Sequence, residues 1–266
     1  SLKQKTGMVL ATGPTGSGKT TTLYTMLDIL NRPEVNISTV EDPIEYQMPR
    51  VNQTQVKSEI GLTFANGLRS LLRQDPDIVM VGEIRDGETA SLGINASLTG
   101  HLVFSTLHTN NAAGTFIRLM DLGADPKTLT SSLHLAIAQR LIRTLCVDCK
   151  KLTDINERQT KIIQDTINSL EGYEEKDEIK EIPKQLYQAV GCKKCNNTGY
   201  IGRIGIHEGI LSDENIENVL ATNPSEREIR TAALDQKLIS MKQDGIIKII
   251  KGITTIEELE RVVDIY

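Results

Sequence analysis

Gly13-Pro14-Thr15-Gly16-Ser17-Gly18-Lys19-Thr20 is the stretch that decides the fold. It fits G-x-x-x-x-G-K-[ST], the phosphate-loop pattern, which carries weight only between a strand and a helix. Both flanks are present. Met8-Val9-Leu10-Ala11 is a short apolar run that suits a strand. Leu23, Met26, Leu27 and Leu30 fall at i, i+3, i+4 and i+7, on one face of a helix. In such a loop several backbone N–H groups turn toward one phosphate, and the helix adds the positive end of its dipole. Gly13, Thr15, Gly16, Ser17, Gly18, Lys19, Thr20 and Thr21 are the expected ATP-binding residues. Lys19 would reach the β- and γ-phosphates, and the Thr20 hydroxyl would ligate Mg2+. The plain alternative is a glycine-rich turn with a surface lysine. A chance match rarely brings both flanking elements, which counts against it.

Three more apolar runs follow: Ile37-Ser38-Thr39-Val40, Ile78-Val79-Met80-Val81 and Leu102-Val103-Phe104. Short runs rich in β-branched residues suit strands covered on both faces. Between them, Phe64, Leu68, Leu71 and Leu72 have helical spacing, and Gln74-Asp75-Pro76 stops that helix. Strands alternating with helices predict an α/β domain with a mostly parallel sheet.

Each strand runs directly into polar residues. The first is followed by the phosphate loop, the second by Glu41-Asp42-Pro43-Ile44-Glu45. The third is followed by Gly82-Glu83-Ile84-Arg85-Asp86, and the fourth leads through Ser105-Thr106-Leu107 to His108. Open α/β sheets place their ligands at the carboxyl ends of their strands. Glu83 then occupies the place of an acidic residue that holds Mg2+ through water. Glu41 is a candidate general base for the attacking water, with Asp42 and Glu45 as substitutes. Solvated strand ends or helix caps are the bland reading of all these carboxylates. His108 lies past the strand's end on the phosphate-loop rim, suited to sensing the γ-phosphate, whereas His101 lies at the strand's other end. Arg69, Arg73 and Arg85 are candidates for pairing with phosphate or a neighbouring subunit, or else for surface salt bridges.

After about residue 143 the pattern changes. The stretch 150–185 is dense in mixed charge and reads as an exposed helical insertion. It separates two C-x-x-C pairs, Cys146/Cys149 and Cys192/Cys195, which leave 42 residues between them (150–191). Each pair can form a knuckle that turns two sulfurs toward one metal. Four thiolates would close a tetrahedral structural Zn2+ site with no open position for catalysis. Gly191 and Gly199 fit the tight turns such knuckles need. A redox dithiol or buried unpaired cysteines are the alternatives, and a reducing compartment favours metal over disulfides. The tail from Asp213 reads as helical. Pro224-Ser225-Glu226 opens one helix, and Ile246, Ile249 and Ile250 line another.

The totals are those of a globular protein: 266 residues, 39% hydrophobic and 24% charged, long enough for a large and a small domain. No run approaches the roughly 20 apolar residues of a membrane span. The opening residues do not read as a signal peptide. The phosphate loop follows Ser1 almost at once, so the chain reads as part of something longer. A net charge of −5, 3% aromatics and no Trp argue against a nucleic-acid surface, which needs a basic face and stacking platforms.

Taken together the motifs resemble one family, the type II secretion and type IV pilus assembly ATPases, over nearly the whole chain. The phosphate loop reads GPTGSGKTTTLY from Gly13 to Tyr24. Residues 39–45 are similar to the family's aspartate box, and 75–86 to its second Walker motif. Residues 99–109 are similar to its histidine box, and Arg203-Ile204-Gly205-Ile206-His207-Glu208 is also similar to family usage. The resemblance implies a RecA-like core at 1–143, a tetracysteine zinc element with a charged helical insertion at 144–200, and a C-terminal helical subdomain at 201–266. It also implies a cytoplasmic homo-hexamer with ATP bound between subunits, attached to the inner membrane through a platform protein. Glu41 is implied as general base and Glu83 as the Walker-type glutamate. The tetracysteine element is typical of assembly and secretion members and missing from retraction ATPases. The family's N-terminal nucleotide-contacting domain has no counterpart in this sequence. Two other functions stay open: a DNA-uptake or conjugation motor, which would want a basic stripe, and a nucleotide-sensing regulator, which would want Lys19 or Glu41 lost.

Overall fold

The structure, a computed structural model, describes residues 4–179 and 181–265. Lys180 and Tyr266, which fall within the expected insertion and C-terminal part, lie outside the described residues. The elements in order are β1 (Gly7–Thr12), α1 (Lys19–Leu30), β2 (Ile37–Glu41), β3 (Val51–Gln55), α2 (Phe64–Leu71), β4 (Ile78–Val81), α3 (Gly87–Leu98) and β5 (Leu102–Leu107). There follow α4 (Ala112–Asp121), α5 (Pro126–Ser132), β6 (Leu133–Leu145), β7 (Lys151–Asp154), α6 (Glu157–Ser169), β8 (Gln185–Gln188) and β9 (Tyr200–Leu211). The last elements are α7 (Glu214–Leu220), α8 (Glu226–Ala232), α9 (Met241–Ile250) and α10 (Ile256–Glu260). The chain divides into two compact units. One is Ser1–Ala138 with Gly209–Gln236, the other Gln139–Glu208 with Lys237–Tyr266.

Seven strands form one sheet in the order β3-β2-β4-β5-β1-β6-β9. The pairs β2–β3, β2–β4, β4–β5, β1–β5 and β1–β6 are all parallel, as expected of the α/β domain. The four apolar runs read from the sequence are β1, β2, β4 and β5, and every residue of these strands is buried. Side-chain alternation along a strand sorts them onto two faces. Val9, Ala11, Ile78, Met80, Leu102 and Phe104 pack with Leu23, Tyr24 and Leu27 of α1. Val40, Val79 and Val81 pack with Phe64, Leu68 and Leu71 of α2. Each fully buried side chain of this kind stabilises by roughly 1.5–3 kcal/mol, against about 0–1 for an exposed ion pair, so these two layers decide the architecture.

Helix starts follow capping chemistry. Thr63, Asp86, Asn111 and Asp213 accept from backbone N–H groups at the starts of α2, α3, α4 and α7. Ser225 and Ser240 each form a reciprocal capping box, opening α8 and α9. The helical tail expected from Asp213 is thus present as α7 to α10.

In the second unit the charged stretch is more than the exposed helix expected of it. β7 and β8 pair antiparallel around it, Lys151 opposite Gln188 and Asp154 opposite Gln185. Within α6, Ile162, Ile163, Thr166 and Ile167 are buried, and Leu170 beyond it is wholly covered. The physical reason is that these five residues share one face of the helix, and burying that face outweighs the high charge of the rest.

Candidate active site and metal centre

Strand register puts the candidate groups on one edge of the sheet. Val40 is aligned with Val81, Val81 with Ser105, and Ser105 with Leu10. One to three residues beyond that row lie Glu41, Glu83, His108 and Gly13. Parallel strands bring all their carboxyl ends to the same edge, so the convergence follows from topology. His101 is at the opposite end of β5, where Nδ1 lies 3.0 Å from Ala96 O.

The phosphate loop turns through Ser17 N–H to Pro14 O at 3.2 Å. Gly18 is the N-cap of α1 at φ 89°, a left-handed conformation that favours glycine. Pro14, Thr15 and Gly16 are exposed. Lys19 is buried, and its Nζ donates to Gly13 O at 2.9 Å and Pro14 O at 3.2 Å. The ammonium therefore already lies inside the curl of the loop, where a phosphate would offer charged acceptors in place of two carbonyls. Thr20 is half-buried, and Thr21 is exposed on the first turn of α1.

Glu83 sits in a loop held between strands. Gly82 N–H donates to Val40 O at 2.8 Å, Ile84 N–H to Thr106 O at 3.0 Å, and Thr106 Oγ1 to Gly82 O at 2.8 Å. Its carboxylate meets Arg85 at Oε1, and His108 Nε2 lies 3.4 Å from Oε2. Arg85 also lies 4.0 Å from Asp42 and over the Phe64 ring. Burial would push the Glu83 carboxyl up, but the Arg85 hydrogen bond and charge, then His108, hold it below the usual range. A carboxylate kept ionised at a strand end is suited to an aquated divalent cation.

Glu41 has different company. It is 2% exposed, and both of its oxygens accept. Tyr24 donates to Oε2, while Thr39 at 2.5 Å and Gln53 at 3.1 Å donate to Oε1. Gln53 also donates to Tyr46 O at 3.1 Å, and the Tyr24 and Tyr46 rings meet edge to face. The structure thus brings Glu83, Arg85, His108 and Asp42 into one cluster, while Glu41 is held by a separate set of donors. Arg69 is engaged with Glu88 at 2.5 Å on the surface, and Arg73 is exposed in the turn after α2. Sequence reasoning missed Tyr24, Thr39 and Gln53. Tyr24 carried a usable signal, since it sits one helical turn beyond Thr20 with Leu23 and Leu27 beside it.

Cys146, Cys149, Cys192 and Cys195 form one cluster, with their sulfurs all within 4.8 Å of one another. A tetrahedral zinc with Zn–S of about 2.3 Å has sulfurs about 3.8 Å apart. The contacts Cys146–Cys192, Cys149–Cys195 and Cys192–Cys195 are 3.9, 3.8 and 3.7 Å. All four cysteines are free, so these spacings fit one metal and no disulfide. Cys192 N–H and Gly199 N–H donate to Cys195 Sγ at 3.1 and 3.2 Å. Burial alone would raise this thiol, but those donors bring it down to about 6, whereas burial pushes Cys149 up to about 12 and raises Cys146, so metal binding would displace protons from those thiols. Gly191, at φ 107°, has no room for a Cβ, which would lie 2.7 Å from Asn197 O. Lys194 pairs with Asp148 at 2.9 Å, joining the two knuckles. The cluster is consistent with a zinc site.

A family model described as "Type II/IV secretion system protein" matches residues 1–261. The "Type II secretion system ATPase E" of Vibrio cholerae is 48% identical over 261 residues, covering 98% of this chain and 49% of that protein. The "Type IV pilus assembly ATPase PilB" of Myxococcus xanthus is 46% identical over 253 residues, covering 95% and 43%. The chain thus spans about half the length of the curated relatives it matches. Among solved structures, the pilus retraction motor PilT with bound ADP has a TM-score of 0.69 at 29% identity, covering 98% of this chain and 62% of that one. The ATPase DotB of Legionella pneumophila has a TM-score of 0.66 at 25% identity, covering 98% and 61%. No helix among the described residues is long and apolar enough to cross a membrane.

Proposed function

The chain belongs to the type II/IV secretion system protein family, and from that premise we propose that it is the ATP-hydrolysing part of a motor that powers type IV pilus assembly or type II secretion. The observation that carries the reading is the single strand-end rim on which the phosphate loop, Glu41, Glu83 and His108 follow β1, β2, β4 and β5. In this reading 1–143 serves as a RecA-like ATPase core, 144–200 as the zinc element and 201–266 as the C-terminal helical part.

Each residue has a task that its surroundings support. Loop N–H groups from Gly13 to Thr21 hold the phosphates, and Lys19 exchanges its two carbonyl partners for phosphate oxygens. Thr20 and Glu83 hold Mg2+. That ion, when bound, neutralises charge building up between the phosphates. His108, half-exposed beside Glu83, meets the γ-phosphate. Glu41 takes a proton from the attacking water once it exchanges one of its present donors for that water. Arg85 keeps Glu83 ionised, and Arg69 and Arg73 are left for phosphate or a neighbouring subunit. The four cysteines hold a structural zinc and close its coordination, so they take no part in phosphate chemistry.

The relatives' names, a type II secretion ATPase and a type IV pilus assembly ATPase, support the motor reading; the wider reading is a homo-hexamer in the cytoplasm, attached to the inner membrane through a platform protein and with no direct contact to nucleic acid. The tetracysteine cluster favours assembly or secretion over retraction. The test is ATP hydrolysis and nucleotide binding by the wild type and Lys19→Ala. Loss of turnover with weakened ATP binding is expected. Wild-type turnover in Lys19→Ala would overturn the reading.

A further inference from the structure

One hydroxyl joins the root of the phosphate loop to the turn that carries His108. Thr12 is the last residue of β1, directly before Gly13, and is 0% exposed. Its register partner is Leu107, the last residue of β5. Beyond that pair the strand ladder ends, and the backbone on either side of His108 would have no strand partner. Thr12 Oγ1 supplies one. It lies 3.0 Å from Leu107 O and accepts from Thr109 N–H at 2.8 Å. It also lies 2.6 Å from Thr109 Oγ1 and 3.2 Å from Thr109 O. Thr109 Oγ1 also lies 3.0 Å from Asn111 O, at the start of α4, and with the Thr12 proton on Leu107 O it donates to Thr12 Oγ1.

A hydroxyl has one proton and two acceptor sites. Thr12 can therefore donate to Leu107 O and accept from Thr109 N–H at the same time. Those two groups belong to the peptide units that flank the His108 Cα, so holding both fixes the backbone of His108. The ring itself is loosely held: the side chain is 51% exposed, and Nε2 lies 3.4 Å from Glu83 Oε2. Where that ring sits is accordingly set by the backbone beneath it.

We propose that Thr12 is a positioning residue: its hydroxyl clasps the peptide units on both sides of His108 and so holds the imidazole against Glu83 at a fixed place relative to the phosphate loop. The inference rests on the reading of this rim as an ATP site, and assigns to it a residue outside the phosphate-loop pattern. A valine in place of Thr12 keeps the β-branched shape but has no hydroxyl. The His108 turn is then free to move while the loop's own glycines and Lys19 are untouched.

The test is a double-mutant cycle of Thr12→Val and His108→Ala, read as ATP affinity, ADP affinity and turnover. ADP lacks the γ-phosphate, so its affinity should stay near wild type in both single variants. ATP-over-ADP preference should fall on the order of tenfold in each, the scale of one hydrogen bond to a charged group. On the His108→Ala background, Thr12→Val should add nothing further. Thr12→Ser, which restores the hydroxyl, should recover both preference and turnover. Thr12→Ala supplies the same cycle if the valine variant does not fold. An equal loss on both backgrounds, an equal loss of ADP affinity, or a serine variant as impaired as valine overturns the inference. Those outcomes leave the ATPase reading standing, which fails only if turnover survives Lys19→Ala.

Discussion

The Tyr24 hydroxyl donates to Glu41 Oε2, joining helix α1, which begins in the phosphate loop, to the carboxylate at the end of β2. Burial pushes the Tyr24 hydroxyl well above its ordinary range, and the Glu41 carboxylate pushes it further. Tyr24 is therefore a neutral donor at any working pH, and Glu41 is a carboxylate on fixed supports.

If Glu41 acts as general base, Glu41→Gln should bind ATP near wild-type affinity and lose turnover by about 100-fold or more, the usual scale of such a group. Calorimetric titration with ATP, set beside steady-state hydrolysis, separates the two effects. Undiminished turnover would remove Glu41 from the role and pass it to Asp42. Tyr24→Phe removes one donor from a buried carboxylate, a change of about 1–3 kcal/mol. Its thermal midpoint should drop, and its turnover should fall less than that of Glu41→Gln.

Arg85 gives the site a pH signature. The Glu83 carboxyl is held below its ordinary value, because the arginine's bond and charge outweigh the burial that would raise it. A lowered folded-state value means the group's contribution is present above the ordinary carboxylate range and is lost as pH falls through the lowered value. Removing the guanidinium in Arg85→Gln leaves burial less opposed and raises the value. The acid limb of the kcat/KM profile for ATP should move to higher pH in that variant. A limb that stays in place would detach Glu83 from Mg2+ binding in turnover.

These groups were legible in the sequence to different degrees. The strand-ends were readable because β1, β2, β4 and β5 are buried on both faces and so appear as apolar runs. β3 was not, because an edge strand reading Val51-Asn52-Gln53-Thr54-Gln55 is only partly covered and shows no apolar run. Missing β3 meant missing Gln53, and with it one of the three donors that hold Glu41. Thr12 was hidden for another reason: within a strand run it reads as a β-branched spacer, and only the three-dimensional end of the ladder gives its hydroxyl a task. The cysteine cluster was readable across its long gap because each C-x-x-C is a local geometry. The folding of 150–185 was not, since its charges masked the single apolar face of α6.

The cysteine cluster predicts one zinc per chain by metal analysis. Cys149→Ser should lose that metal and lower the thermal midpoint, with hydrogen exchange rising around Cys146 and Cys192. Lowering the pH protonates thiolates, so chelation should strip the metal faster in acid than at neutral pH. A metal-free protein with unchanged midpoint and exchange would refute the structural zinc.

Glu258 offers the sharpest stability test in the second unit. Its side chain is wholly buried and accepts from Arg143 N–H, Nε and Nη2 at 2.8, 2.9 and 2.7 Å. Arg261 adds Nε and Nη2 at 3.1 and 2.8 Å. Burial would raise the carboxyl, but Arg261 and Arg143 bring it to about 2 from an ordinary 4.5. Breaking a fully buried pair from one side costs about 3–5 kcal/mol, but the arginine side chains left behind here are 44% and 53% exposed and can be solvated, so the loss is nearer the roughly 1.5–3 kcal/mol of hydrogen bonds to a charged group. Glu258→Gln should therefore destabilise more than removing Glu171, whose pair with Lys176 lies at the surface. The sign of the pH effect follows from the lowered value. Glu258 contributes fully above its ordinary range and loses that contribution as pH falls toward 2. Denaturant titrations from neutral pH downward should show the gap between wild type and Glu258→Gln narrowing as acid is added. A gap that stays constant would mean the carboxylate's charge is irrelevant and that packing alone carries the difference.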